Sequence, residues 1–550
     1  MSDRNRSVVK EQPGGDKSVN FVTGTPVHTC AIPMRTDAMT HSHARHGDQA
    51  HGSMSQHPGG LSGLGWLQPD LVCVVLAAAL VLIFCAYLWT DLTYDEAVYL
   101  RLARTIAETG LPLRRSFVAF SNFQLFENSP PLVLYLASLS QLLFPGDEVP
   151  ARLVNFIAFV LPTYGVVWWV ARTRFGPWAA VASLTVLLTN VSYVRATSHV
   201  LLNIPLGLLA CVGLVAFHEA SSSVAHRRTN CLIAGTAMLL AVWTKYQAVC
   251  IAGAIVLYAG YALGQRGYGG LRPMLRPLMV AVVSGAVGVM ALFWYYWAFG
   301  GIDTMEGTFA WNVRRASPSS MSVVDIGRAF AATARETESR VGGLVLLLGV
   351  FTACVEKRHR GLVVVLSSYC ATSIAFNFFL FRLPGAGEAY LDSTVGALAL
   401  LAGPAAIHIG CWAETARTRI LLAMVAIGIH VAGAPPSVFE LPRRNASRVA
   451  AAYIAAVSSP SAGVLAETVS IEFYTGHPVR PVSFTFPREL ILRSLDGSSG
   501  DDISFVVVSS RAIPRHLESI REGWDRLLLH HFELVPAAAP GLHVYRRRGR

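Results

Sequence analysis

Apolar runs close to the length of a bilayer crossing recur along this chain, and they restrict it to a bundle of membrane helices. They fall near 70–90, 152–171, 177–194, 200–218, 230–244, 246–264, 277–299, 341–355, 361–381, 389–409 and 418–435. At about 20 residues per crossing this predicts an α-helical polytopic membrane protein of about 11 spans, within a range of about 10 to 13. Composition agrees, since 53% of the 550 residues are hydrophobic and only 14% are charged, far from the average of soluble domains. The run "PPLVLYLASLSQLLF" (Pro130 to Phe144) is too short to cross and reads as a re-entrant or interfacial helix.

Loop charges orient the bundle, because cytoplasmic loops collect Lys and Arg. With the N-terminal tail inside and the 130–144 run not crossing, the loops "ARTRFG" (Ala171 to Gly176), "HRRTN" (His226 to Asn230), "GQRGYGGLRPMLRP" (Gly264 to Pro277), "EKRHR" (Glu356 to Arg360) and "ETARTR" (Glu414 to Arg419) all lie in the cytoplasm, and all are basic. The formal net charge of +11 is therefore a topology signal, and without a basic groove or stacking motif nucleic acid is not an expected partner. The opposite, outer face receives the 91–151 loop, the segment around His199 and Asn203, Lys245, the 300–340 loop, the 382–392 segment and everything after about 436.

Three regions follow. Residues 1–68, rich in Gly, Ser and His, read as a disordered cytoplasmic tail that cannot bury a core. Without an apolar run near Met1, the first span is expected to serve as the insertion signal. Residues 69–435 form the membrane domain. Residues 436–550 change character, alternating β-like runs such as "DISFVVVSS" (Asp502 to Ser510) with a helical stretch, "IPRHLESIREGWDRLLLH" (Ile513 to His530), as a small extracytoplasmic α/β domain would. The nine cysteines have no paired spacing and none follows Cys411, so neither a structural zinc site nor a disulfide framework is indicated.

The chemistry gathers on the outer side. Asp95 and Glu96 open an amphipathic helix directly after the first span, where acidic side chains also suit the positive end of the helix dipole. Glu127, Asn203 and Lys245 sit at the outer ends of other spans or in the same loop. "WYYW" (Trp294 to Trp297) closes a span as an interfacial aromatic belt does.

The ordered set "DEAVYLRLARTIAETGLP" (Asp95 to Pro112), "FENSPPLVLYLASLSQLLF" (Phe126 to Phe144), "ARLVNFIAFVLPTYGVVWWVARTRFG" (Ala151 to Gly176), "TSHVLLNIPLGLLACVGL" (Thr197 to Leu214) and "WTKYQAV" (Trp243 to Val249) resembles the integral-membrane glycosyltransferases of the GT-C fold. The branch is that of the protein O-mannosyltransferases, the lipid A aminoarabinose transferase and the Rhizobium lipopolysaccharide sugar transferases, a family 39-like group. The likeness covers about residues 70 to 260 well and 340 to 410 loosely.

The resemblance implies a polyprenyl-phosphate-sugar donor and a lipid, glycan or protein acceptor, met on the outer face of the bacterial cytoplasmic membrane. It makes Asp95 the acidic catalytic residue, with Glu96 beside it, Glu127 and Asn203 substrate-binding residues, and Glu127 also a metal ligand. Lys245, Arg382 and the Arg314–Arg315 pair are candidate cations for the lipid phosphate. No cofactor is certain, but a divalent metal is possible on Glu127 with help from His199. The chain departs from the pattern twice: Asn128 and Ser129 stand where a Lys usually precedes the paired prolines, and Asn203 stands where an Asp usually opens its span. Asn supplies no charge and is a poorer ligand for a hard cation. A second reading, a non-catalytic or transport protein on the same scaffold, predicts internal repeats and ionisable residues deep within spans, neither of which the sequence contains.

Overall fold

The computed structural model describes residues 68–115, 123–126, 129–301, 359–381, 392–412, 446–467, 469–482, 488–498, 503–509, 521–539 and 541–549. The N-terminal tail, the expected spans near 341–355 and 418–435, and Glu127, Arg314, Arg315 and Arg382 lie outside these residues.

Helix α1 (Pro69–Tyr87) starts on a proline, whose missing N–H costs nothing in the first turn. Helix α2 (Tyr94–Thr109) is capped by Thr93, whose Oγ1 accepts the Glu96 N–H, and ends on Gly110 at φ +81°. That conformation is one glycine adopts without strain. A short antiparallel pair, β1 (Leu113–Arg115) and β2 (Phe123–Leu125), follows, with Leu113 opposite Leu125. Helix α3 (Leu132–Leu143) has 12 residues and buries Val133, Leu134 and Ala137 while Leu139, Leu142 and Leu143 stay exposed. It packs along α2.

The bundle continues with α4 (Glu148–Phe175), α5 (Pro177–Thr189), the short α6 (Val191–Thr197), α7 (Asn203–Ser222), α8 (Arg227–Thr244), α9 (Val249–Arg266), α10 (Leu275–Ala298), α11 (Arg360–Phe381) and α12 (Val395–Trp412). Among the described residues five helices are long and apolar enough to cross a membrane, and α5, α11 and α12 hold shorter apolar stretches. Helix α7 is the centre: 78% of its apolar window is buried, against 17% for α1 and 22% for α10. The outer pair instead display Leu71, Val74, Leu82, Val282, Val283 and Met290, the surface expected of helices solvated by lipid.

Small residues permit the central contacts, as they do between membrane helices generally. A side chain at Gly213 would begin 3.2 Å from the Ala237 Cβ, and one at Gly207 would begin 2.6 Å from the Ser393 carbonyl oxygen.

The last part of the chain adds α13 (Ala446–Val457), β3 (Gly463–Ala466), α14 (Ser470–Thr475), β4 (Val479–Pro481), α15 (Arg488–Asp496), β5 (Ile503–Ser509), α16 (Arg521–His531), β6 (Phe532–Ala539) and β7 (Leu542–Arg547). The strands form one sheet in the order β4-β3-β5-β7-β6, parallel through β4, β3 and β5 and antiparallel beyond. Trp524, Leu528, Ile491 and Leu495 cover one side of it over Leu465 and Val506. This unit meets the bundle at α2, where Arg101 Nε lies 3.5 Å from Glu472 Oε1 and Arg104 Nη1 donates to the Phe473 carbonyl at 3.3 Å.

Replacing Gly207 by Val tests the central contact. A branched side chain cannot fit against the backbone of Ser393, so the detergent-purified protein is expected to lose about 1–3 kcal/mol of stability. A thermal unfolding curve unchanged from wild type would show that the approach of α7 to residues 392–394 is not required.

Candidate active site

Asp95 and Glu96 are consecutive in the first turn of α2, so their side chains leave the helix about 100° apart. That rotation gives them opposite surroundings. Glu96 points into the bundle and is completely buried. Its carboxylate accepts Nε and Nη2 of Arg152, both at 2.8 Å, the backbone N–H of Val200 at 3.1 Å, and His199 Nδ1 at 2.6 Å. Arg152 Nη2 also lies 3.3 Å from His199 Nδ1, but a nitrogen that donates to Glu96 cannot accept from Arg152. The shorter contact therefore assigns the proton to Nδ1.

The remaining guanidinium nitrogen, Nη1 of Arg152, donates to the carbonyls of Leu88 (2.7 Å) and Thr90 (2.9 Å) at the end of the first span. Asn155 Nδ2 holds the His199 carbonyl at 2.9 Å. Burial alone would raise the Glu96 pKa, but the charges and hydrogen bonds of His199 and Arg152 prevail and hold it at about 2. The folded value lies below the ordinary 4.5. This stabilisation is thus complete above that pH and is lost as pH falls toward the folded value.

The structure therefore separates the two acids that the sequence places side by side. Glu96, expected as the adjacent catalytic residue, is 0% exposed, with its carboxylate oxygens held by Arg152, His199 and Val200. His199, expected to help hold a metal, spends Nδ1 on Glu96.

Asp95 is exposed on the other side of α2. Desolvation by the surrounding protein raises the pKa of its carboxyl, while the Lys245 ammonium opposes this shift. Lys245 follows the last turn of α8, its N–H bonded to the Ala241 carbonyl, and its Nζ donates to Asn203 Oδ1 at the first residue of α7. Asp95, Lys245 and Asn203, each from a different helix end, are thus brought together.

The hydroxyl of Tyr246, the residue after Lys245, lies 3.5 Å from that of Tyr296. Trp294 and Trp297 face outward, as an interfacial belt requires, but Tyr295 and Tyr296 turn inward. Tyr295 shares a 3.1 Å hydrogen bond with Tyr135, and Tyr296 donates to the Ser129 carbonyl at 3.3 Å. Tyr94, one residue before Asp95, accepts a hydrogen bond from Arg114 of β1, and burial raises its pKa despite that cation. Arg152 and Arg114 were missed in the sequence. The available signal was an arginine inside "EVPARLVNF", at a helix position too apolar to leave a charge unpaired.

The donor set bears on the metal that the resemblance suggests. Among the described residues no group of three or more His, Cys, Asp and Glu side chains could hold an ion. Asn203 Oδ1 already accepts an ammonium group, which would repel a cation. The described residues thus do not fit a metal.

Comparison with known proteins bears on the fold. Residues 128–297 match the family described as dolichyl-phosphate-mannose-protein mannosyltransferase. No curated protein sequence matches the chain. Among solved structures, ArnT from Cupriavidus metallidurans bound to undecaprenyl phosphate superposes with a TM-score of 0.57 at 17% identity, covering 87% of this chain and 98% of that one. The apo oligosaccharyltransferase of Archaeoglobus fulgidus gives 0.55 at 13% identity, over 80% of this chain and 69% of its own. The AglB oligosaccharyltransferase from that organism, in complex with an inhibitory peptide and a dolichol-phosphate, gives 0.53 at 12%, over 88% and 74%. With the family match, these likenesses show an integral membrane protein of the GT-C glycosyltransferase fold.

Substituting Arg152 by Met tests the buried network. The change strands an ionised Glu96 in the interior and is expected to cost about 3–5 kcal/mol. Denaturant unfolding in detergent measures it, and a loss below about 1 kcal/mol would mean that the pair does not hold the site.

Proposed function

We propose that this chain transfers a sugar from a polyprenyl-phosphate-linked donor to a lipid, glycan or protein acceptor on the outer side of a bacterial cytoplasmic membrane, with Asp95 as its catalytic base. The observation that carries the reading is the position of Asp95, solvent-accessible yet partly desolvated, and under the charge of a lysine held at the end of a neighbouring helix. The polyprenyl phosphates bound to ArnT and AglB, and the peptide on AglB, support the donor and acceptor classes.

In the reaction the acceptor's hydroxyl or amine attacks the anomeric carbon and gives its proton to the Asp95 carboxylate. The bond from that carbon to the phosphate oxygen breaks, and the polyprenyl phosphate leaves with the electron pair. The leaving phosphate gains negative charge, which Lys245 stabilises. Glu127, Asn203, Arg314, Arg315 and Arg382 stay, with Lys245, in the proposed substrate-binding set. No step passes through a metal.

Asp95→Asn, assayed in membranes at equal abundance with polyprenyl-linked sugar donors, is expected to lower transfer by about 10²-fold or more. Wild-type activity in that variant would reject the base assignment. Absence of transfer in the wild type, with the lipid-linked sugar still crossing the bilayer, would favour a transport protein on this scaffold.

The pH profile gives a separate test. Asp95 acts only when ionised, so activity climbs as pH rises through its elevated pKa. Lys245→Met removes a charge that lowers that pKa, and the acid limb should move to higher pH. An unmoved limb would show that Lys245 does not act on Asp95.

A further inference from the structure

Tyr246 follows Lys245 directly, at the head of the single 3₁₀ turn (Tyr246–Ala248) that joins α8 to α9. It is 40% exposed, although its hydroxyl is partnered. That hydroxyl donates to the hydroxyl of Tyr296 at 3.5 Å, and Tyr296, fully buried near the end of α10, donates in turn to the Ser129 carbonyl at 3.3 Å. Ser129 lies two residues after Glu127, in the loop that precedes α3. Lys245 meanwhile reaches Asn203 at the head of α7. The two neighbours thus bridge from α7 to α10, one with a cation and the other with an aromatic ring.

An exposed aromatic residue at the outer end of a span commonly belongs to the interfacial belt, where a tyrosine lays its ring in the lipid and turns its hydroxyl to the headgroups. Tyr246 is arranged the other way. Its polar end is tied inward by two successive hydrogen bonds that finish on a backbone carbonyl, which leaves the ring as the exposed part of the side chain. Trp294 and Trp297, on either side of the buried tyrosines and each 65% exposed, fill the belt position instead. The support under Tyr246 is itself fixed. The Tyr296 ring lies edge-on to Tyr295 at 5.4 Å, and Tyr295 lies edge-on to Trp243 at 5.9 Å while its hydroxyl meets that of Tyr135 at 3.1 Å. A ring anchored to such a network is ordered before any ligand arrives, so binding need not order it.

We infer that Tyr246 is the platform for the sugar of the donor, receiving one C–H face of the sugar ring while Lys245 takes the phosphate; the inference rests on the glycosyl-transfer reading proposed above. The chemistry matches on both parts. A sugar ring turns C–H bonds, with their positive hydrogens, to a face and carries its hydroxyls at the edge, whereas the face of an aromatic ring is negative and apolar. An apolar surface beside a few placed polar groups is the usual make-up of a small-molecule site. In a sugar esterified to a lipid phosphate one oxygen separates the ring from phosphorus, so both groups fall within reach of two consecutive residues, whose Cα atoms are about 3.8 Å apart. Tyr246 takes no proton and forms no bond. It distinguishes the glycosylated lipid from the bare one, and once the sugar has been transferred the lipid phosphate loses this contact and leaves more readily.

Lipid binding to the full-length protein in nanodiscs tests this, with undecaprenyl phosphate and a panel of its hexose and pentose esters as probes. The wild type is expected to bind at least one ester more tightly than the bare lipid. Tyr246→Ala should weaken that ester by about tenfold, the scale of one aromatic contact, and leave the bare lipid within about twofold. Tyr246→Leu, apolar without being aromatic, is read the same way and serves if the alanine variant does not fold. Tyr246→Phe keeps the ring and should retain most of the preference, and Trp297→Ala, in the belt, should retain all of it. In transfer assays with the same ester the loss in Tyr246→Ala should appear in KM with kcat nearly unchanged, as for a contact made equally in the ground and transition states. An unchanged ester affinity in Tyr246→Ala, equal weakening of bare and glycosylated lipid, complete loss of the preference in Tyr246→Phe, or a wild type that prefers no ester overturns the inference while the transfer reading stands. A wild type that binds none of these lipids overturns both.

Discussion

The site depends on one buried ion pair, Glu96 with Arg152. Its two 2.8 Å contacts run between α2 and α4, while the same guanidinium holds the carbonyls of Leu88 and Thr90. His199 and the Val200 N–H bring in the turn before α7. Three chain segments distant in sequence are thereby fixed to one carboxylate. Replacing such a pair by apolar side chains can leave stability unchanged, so its value here is geometric. It sets the rotation of α2 about its own axis, and that rotation decides that Asp95 is exposed while Glu96 is buried.

Packing and polarity divide the work along the bundle. Helix α7 is buried along nearly its whole length and is approached closely at Gly207 and Gly213, which gives its first residue, Asn203, a rigid base. Around it α1 and α10 turn apolar side chains outward, where lipid removes any cost of exposing them. Polar side chains inside such a bundle must find partners within the protein. That is why the ionisable groups of the site concentrate at helix ends, with Lys245 just past α8 and Asp95 in the first turn of α2.

Much of this was legible in the sequence because it depends on length, apolar periodicity and end position. Helices stand over the apolar runs at 152–171, 200–218 and 277–299, and a strand covers most of "DISFVVVSS". Asp95, Asn203 and Lys245 could be gathered from their places at the ends of apolar segments. What the residues could not convey was direction. Two adjacent acids read alike until the helix they begin is turned against its neighbours, which buries Glu96 against Arg152 and leaves Asp95 exposed. The same holds for "WYYW", where the helical turn puts the two tryptophans, three residues apart, on the outer face and the two tyrosines between them on the inner one. His199 shares a helical spacing with Asn203, yet it falls before α7 begins and turns toward Glu96. Arg152 escaped notice because its partner lies 56 residues away, and no local pattern encodes that distance.

The residue at 203 shows how a small departure from a pattern alters electrostatics without altering shape. An aspartate in that position, which the resemblance leads one to expect, would hold Lys245 as an ion pair and cancel most of its field. Asparagine offers the same oxygen to the ammonium group without a compensating charge. The lysine is held in place while its positive charge remains effective on Asp95. A site built this way favours an anion beside the carboxyl group and disfavours a second cation there. The substitution that weakens the case for a metal is therefore the one that leaves the Lys245 charge available to the phosphate of the proposed donor.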